Sequence, residues 1–140
     1  MDNSLQRFID AQEKYYGAAL AEITAGKKRT HWIWFIFPQV KGLGFSQHSQ
    51  YYGITDLAEA TAYLAHPVLG RRLVEISNVL LNLQSNDAHS IFGSPDDMKL
   101  QSCMTLFDAV PGSDKVFKAV LDKFFDGKKD QKSLRIAEVK

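Results

Sequence analysis

Two tryptophans, four histidines and a few amide and ammonium groups hold most of the chemistry this chain can offer. Both tryptophans fall in one stretch, HWIWFIFPQ, with His31 ahead of Trp32 and Trp34 and Gln39 closing it. An indole has an apolar body and a polar N–H, which suits the wall of a ligand cleft. An imidazole exchanges a proton near neutral pH, so His31 is the candidate acid–base group. The competing reading is that Trp32 to Phe37, all large and apolar, are plain core.

Three other places supply polar groups. Lys99 and Ser102 are spaced to share a helix face. There an ammonium can neutralise a phosphate beside a hydroxyl; a solvated face is the plainer alternative. Gln12 interrupts an apolar stripe and needs hydrogen-bond partners if that stripe is buried. Ser46 and Tyr51 lie in a long glycine-bearing stretch. Ser46 follows KGLGF, which is faintly like a phosphate-cradling loop but lacks the strand that should precede one. Its glycines equally supply positive φ in a turn. Tyr51 can stack on a ring or pin the loop to the core. Taken together these groups suit a nucleotide or ribose-phosphate ligand. Trp32 or Trp34 stacks, Lys99 neutralises phosphate, and Gln12, Gln39, Ser46 and Ser102 are hydrogen-bonding candidates. His31, His48, His66 and His89 have no metal-site spacing, and Cys103 is the single cysteine. No G-x-S-x-G nucleophile signature is present. Neither a metal nor a cofactor is expected.

The elements that must position these groups read as helices. Leu5, Phe8, Ile9, Tyr15, Tyr16, Ala19, Leu20 and Ile23 recur at helical spacing, with Asn3 or Ser4 as cap and Gly26 as terminator. Residues 32–37 have strand composition, but nothing else in the chain offers a pairing partner. A short buried helix or turn, ended by Pro38, is therefore expected. Residues 38–54 form one long loop of the length that is often functional. Thr55 caps a helix to about Ala65, with Leu57, Ala60, Thr61 and Leu64 on one face. Pro67 opens the next, with Leu69, Leu73, Ile76, Leu80 and Leu83 as its stripe. A short turn of helix spans Asp87 to Phe92. Ser94-Pro95-Asp96-Asp97 starts another, burying Leu100, Cys103, Met104 and Phe107. Ser113 caps a helix with Phe117, Val120, Leu121 and Phe124 inward and Gly127 as stop. Asp130 caps a last one through Ala137. Lys27-Lys28-Arg29 and Lys128-Lys129 read as solvated charge.

The expectation is one all-α domain over 1–140, a compact bundle of about six or seven helices with one long loop at about 38–54. Composition agrees: 45% hydrophobic and 24% charged residues are ordinary for a folded domain. Net charge is +1, which gives no bulk attraction to nucleic acid or acidic membrane. The longest apolar run is far short of the ~20 residues that span a membrane. The start MDNSLQRF has no signal-peptide pattern, and a lone cysteine fits a reducing compartment, so the protein is expected to be cytoplasmic. Nothing in the sequence sets its oligomeric state.

RFIDAQ, HWIWFIFPQVKGLGFS, YLAHPVLGRRL, KLQSCMTLF and VLDKFFDGKKDQKSL resemble, over nearly the whole chain, the bacterial family called domain of unknown function 1810. That resemblance implies a compact all-helical fold and no established activity. Its polar motif positions correspond to Gln12, His31, Gln39, Ser46, His66, Lys99, Ser102 and Thr105. Cys103 stands where the pattern leads one to expect serine. Two functions follow from the residues: a small-molecule site with an enzymatic option, or a non-catalytic domain whose long loop contacts another protein. A concave pocket holding the polar groups favours the first; a convex apolar loop favours the second.

Overall fold

The apolar stripes fold together as helices throughout. The computed structural model describes residues 5–138, and nine helices lie among them. In chain order these are α1 (Gln6–Thr24), α2 (Ile33–Ile36), α3 (Gln47–Tyr51), α4 (Leu57–Ala65), α5 (Leu69–Asn82), α6 (Ala88–Phe92), α7 (Asp96–Asp108), α8 (Val116–Phe125) and α9 (Gln131–Ile136). The count exceeds six or seven because short helices form inside the segments between the long ones. The expected Asn3 or Ser4 cap lies outside the described residues.

Helix α7 is the centre of the fold. It packs on α4, α6, α8 and α9, while α5 packs on α1, α4 and α8. Every residue from Ser102 to Phe107 is buried, so the middle of α7 is enclosed nearly all round. Cys103 is fully buried there, and burial pushes its thiol well up from its ordinary value. It is packing rather than a nucleophile.

The aromatic segment resolves as expected into a short buried helix, α2. Trp32, Ile33, Phe35, Ile36 and Phe37 are all buried. Residues 38–54 are not structureless. They contain α3, and Val40 meets Ile54 as an isolated parallel bridge. Lys41 N–H donates to Ile54 C=O at 2.7 Å, and Ile54 N–H donates to Gln39 C=O at 2.8 Å. The segment is an Ω-loop, closed at its neck. Arg7 of α1 holds the far side, donating to Tyr51 C=O at 2.8 Å and Gly53 C=O at 2.9 Å.

Several helix starts differ from the sequence reading. Asp56, not Thr55, caps α4 by accepting from Glu59 N–H at 2.9 Å. Thr61 is exposed, and Tyr63 shares the buried face with Ala60. Neither Ser94 nor Ser113 makes a capping bond. Pro95 occupies the N-cap position of α7, and Asp114 accepts from Val116 N–H at 2.8 Å before α8. His66 plays the capping role at α5: its Nδ1 accepts from Val68 N–H at 3.1 Å. Gly70 is required by a close approach, since a Cβ there would stand 2.1 Å from the Leu64 carbonyl oxygen.

Candidate functional site

Two clefts separate the Ω-loop from neighbouring helices, and a further hollow of about 280 Å³ lies on the loop itself, lined by Gln47, His48, Tyr51 and Tyr52. The first, between the loop and α7, has a volume of about 280 Å³. Gln39, Lys99 and Ser102 line it, as do Leu43, Met98 and Lys132. This is the convergence expected of the amide, ammonium and hydroxyl groups. Beside it, Trp34, Gln39, Gly44, Ser49 and Tyr52 enclose a void of about 10 Å³, which is room for one water-sized atom. Gln39 and Gly44 line both spaces. Gly44 stays glycine for lack of room: a Cβ there would stand 2.6 Å from Ser49 Oγ.

Trp34 is the unusual member. Its Nε1 is buried and has no acceptor, alone in this among the buried side-chain N and O atoms of the described residues. The ring itself is in use. The His48 ring centroid is 4.5 Å away, and Lys99 Nζ is 5.2 Å from the indole centroid. Trp34 therefore offers an N–H edge rather than a stacking face.

Trp32 is sealed. It is 0% exposed, and its Nε1 donates to Glu22 at 3.0 Å. Glu22 also accepts from Arg29 N–H at 2.6 Å and from Thr30 N–H and Oγ1–H. Burial works to raise the Glu22 carboxyl, but these donors outweigh it and bring it down to about 2. Lys28 lies against Trp32, 5.0 Å from the ring, and its side chain is 6% exposed. It is not the solvated charge expected of it. Asp96 joins the two halves of this arrangement: Oδ2 is 2.9 Å from Lys28 Nζ and Oδ1 is 3.4 Å from Lys99 Nζ. An acidic first turn of α7 thus fixes a lysine against each indole.

The remaining expected residues are placed as follows. Gln12 is buried and bridges four segments. It donates to Phe35 C=O at 2.8 Å and Tyr63 Oη at 3.0 Å, and accepts from Arg72 at 3.3 Å. Ser46 caps α3, accepting from Ser49 N–H at 3.1 Å. Ser102 Oγ is 2.9 Å from Asp130 Oδ2, and Thr105 Oγ1 accepts from Asp130 N–H at 2.9 Å, so both hold the turn into α9. His31 and Tyr51 lie elsewhere, in a second cleft of about 360 Å³ between α1, α2 and α3. Tyr15 and His48 line it too. Neither was expected in a site, and Tyr15, assigned to the buried stripe, is 44% exposed. The signal for Tyr15 was available: it lies on the edge of the stripe, three after Gln12. A larger hollow of about 560 Å³ lies at the α7–α8 turn, but its carboxylates are engaged: Asp108 with Lys129, Asp114 with Val116 N–H and Asp122 with Lys118.

Residues 2–137 match the family described as protein of unknown function (DUF1810). The chain belongs to this family. A crystal structure of the conserved hypothetical protein Rv1873 from Mycobacterium tuberculosis is similar to it, at 43% identity, covering 97% of each chain with a TM-score of 0.93. No curated protein matches. Many of the polar residues expected at a site or in a motif have a structural use in this chain. Gln12, His66, Ser102 and Thr105 all spend their polar atoms on internal partners. His31 and Gln39 instead line a cleft, and Lys99 lines one while its ammonium is paired with Asp96 at 3.4 Å.

Proposed function

We propose that this protein binds a small, oxygen-rich anionic metabolite of the ribose-phosphate type in the cleft between the Ω-loop and α7. The observation that carries this reading is the Trp34 Nε1–H. A buried donor without an acceptor costs about 1–3 kcal/mol, and a fold keeps few of them. A single oxygen in the adjoining void, which has room for one water-sized atom and shares Gln39 and Gly44 with the cleft, would satisfy it. Lys99, paired with Asp96, and Lys132 supply positive charge at the same cleft, Gln39 an amide, and Leu43 and Met98 apolar wall; the one lining carboxylate, Asp130, is occupied by the Ser102 and Ser133 hydroxyls. Because His48 and Lys99 already pack on the indole, the ligand needs no base to stack there. A sugar phosphate fits this chemistry better than a whole nucleotide. His31 does not line this cleft, so the reading is of binding, with no acid–base step assigned.

A second reading has its own observation. Phe45, on the Ω-loop, is 83% exposed, and Met98 at the cleft is 63% exposed. Such residues favour a loop that contacts another protein, without catalysis.

Thermal unfolding with ribose 5-phosphate, inorganic phosphate and ADP-ribose separates these. Ligand bound to the native state raises Tm by mass action. At least one of the three is expected to raise Tm at millimolar concentration, and Lys99→Ala or Trp34→Phe to remove the response while the protein stays folded. No shift with any of the three, or a shift indifferent to both substitutions, sinks the small-molecule reading.

A further inference from the structure

The second cleft has a different chemistry from the first, and no residue lines both. Its walls are aromatic. Tyr15 and Tyr51, at 44% and 60% exposure, are two of the four large hydrophobic residues left exposed among those described. Each is backed by another ring. Tyr15 lies 5.4 Å from Phe35, and Tyr51 lies edge-on to Tyr52 at 4.8 Å. Each ring therefore has protein on one side and accessible surface on the other.

These rings are positioned rather than loose. Arg7 Nε donates to the Tyr51 carbonyl at 2.8 Å, and the same guanidinium holds Gly53 C=O and Glu59. The backbone that carries Tyr51 is thus tied to α1, which carries Tyr15 from the facing side. Fixing a wall before binding removes part of the ordering cost of binding. The Arg7 clamp acts through backbone, so it does not depend on the Tyr51 ring.

Lining charge is unbalanced. Arg7, which is paired with Glu59, and Lys14 stand against one carboxylate, Asp10, which accepts from Gln6 Nε2 at 2.9 Å, and His31 and His48 add imidazole nitrogens. Aromatic faces with a basic rim attract a flat ring that carries negative charge. A volume of about 360 Å³ is within the usual range for small-ligand sites.

We infer that the cleft between α1 and the Ω-loop is a second binding site, and that it takes a planar aromatic ring bearing an anionic group, as a nucleoside monophosphate presents. In it the ring lies between Tyr15 and Tyr51, and the anion is met by Lys14 and His31. This site does not depend on the ribose-phosphate reading of the α7 cleft. His48 links the two regions physically, since it lines this cleft and packs on Trp34. Tryptophan emission, to which Trp34 contributes beside the sealed Trp32, is therefore expected to respond to occupancy.

The test is equilibrium titration of the full chain with AMP, followed by ligand-observed NMR and tryptophan emission. Adenosine, ribose 5-phosphate and a six-residue oligoadenylate are the comparison arms. AMP is expected to bind at sub-millimolar to millimolar concentration, and more tightly than adenosine or ribose 5-phosphate. Tyr51→Ala and Tyr15→Ala are each expected to weaken AMP at least tenfold, Tyr51→Phe to leave it within twofold, and Lys99→Ala to leave it unchanged. Circular dichroism of each variant checks that it is folded. No AMP binding at about 5–10 mM, roughly five to ten thousandfold above a micromolar site, overturns the proposal. So does loss of binding in Lys99→Ala with Tyr51→Ala unaffected, which moves the ligand to the other cleft. Tight binding of the oligoadenylate without AMP overturns it in favour of a nucleic-acid surface.

Discussion

At the scale of single residues, the polar atoms divide by whether they have protein partners. Gln12 has three, on α2, α4 and α5. Gln12→Leu leaves the Phe35 carbonyl and Tyr63 hydroxyl short of a partner in the core, so it should cost about 1–3 kcal/mol. Urea unfolding measures this as a lower midpoint at unchanged slope; an unchanged midpoint refutes the bridge. Glu22 gives a pH signature. Its carboxyl stands at about 2 in the fold against an ordinary 4.5. Between those values the unfolded chain binds the extra proton, so stability rises with pH there. The Glu22 contribution is complete above about pH 4.5 and disappears as pH falls through about 2. Glu22→Gln should flatten that part of the acid-unfolding curve, and an identical curve counts against it. Trp34→Phe is the opposite case. It removes a donor that has no acceptor, which offsets the lost volume, so stability should move by less than about 1 kcal/mol.

At the scale of elements, close approaches decide what the chain tolerates. Helix α5 passes the end of α4 at Gly70, where a Cβ meets the Leu64 carbonyl oxygen at 2.1 Å. Gly70→Ala has good helix propensity and should still destabilise by about 1–3 kcal/mol or more, because backbone must move. Gly17 has nothing within 4 Å of the same test position. Gly17→Ala should therefore stabilise by about 0.5–1 kcal/mol through propensity alone. Thermal unfolding of the pair checks the contrast; equal shifts refute it. The Ω-loop is held at its neck by the Val40–Ile54 bridge and on its side by Arg7. Arg7→Ala should open residues 41–52 to limited proteolysis several-fold faster, with a much smaller change in Tm. A cleavage rate equal to that of the unaltered protein shows that the neck alone holds the loop.

At the scale of the whole molecule, far-ultraviolet circular dichroism should show helix, and it should melt together with tryptophan fluorescence in one transition. Trp32 and Trp34 sit on the seam where α1, the Ω-loop and α7 meet, so separate transitions would mean that the loop region unfolds alone. The helical class was legible without coordinates because periodicity is local: the stripe Leu69, Leu73, Ile76, Leu80 needs only its own spacing to declare a buried face. The absence of a pairing partner likewise decided residues 32–37 against strand. Local rules did less well at caps. Ser94, Thr55 and Ser113 have good capping chemistry, but the hydrogen bond goes to whichever neighbour the tertiary path brings in line. The site shows the same boundary. That Gln39, Lys99 and Ser102 share a cleft follows the sequence reading, but that His31 and Tyr51 face a different one does not. Residue type and spacing determine what a side chain can do and which face of its helix it occupies. Which faces meet is set by packing between segments distant in the chain: Gln12 reaching Tyr63, Lys28 reaching Asp96, Arg7 reaching Tyr51. Those distances carry no local signature, so only the tertiary structure could divide one expected site into two clefts.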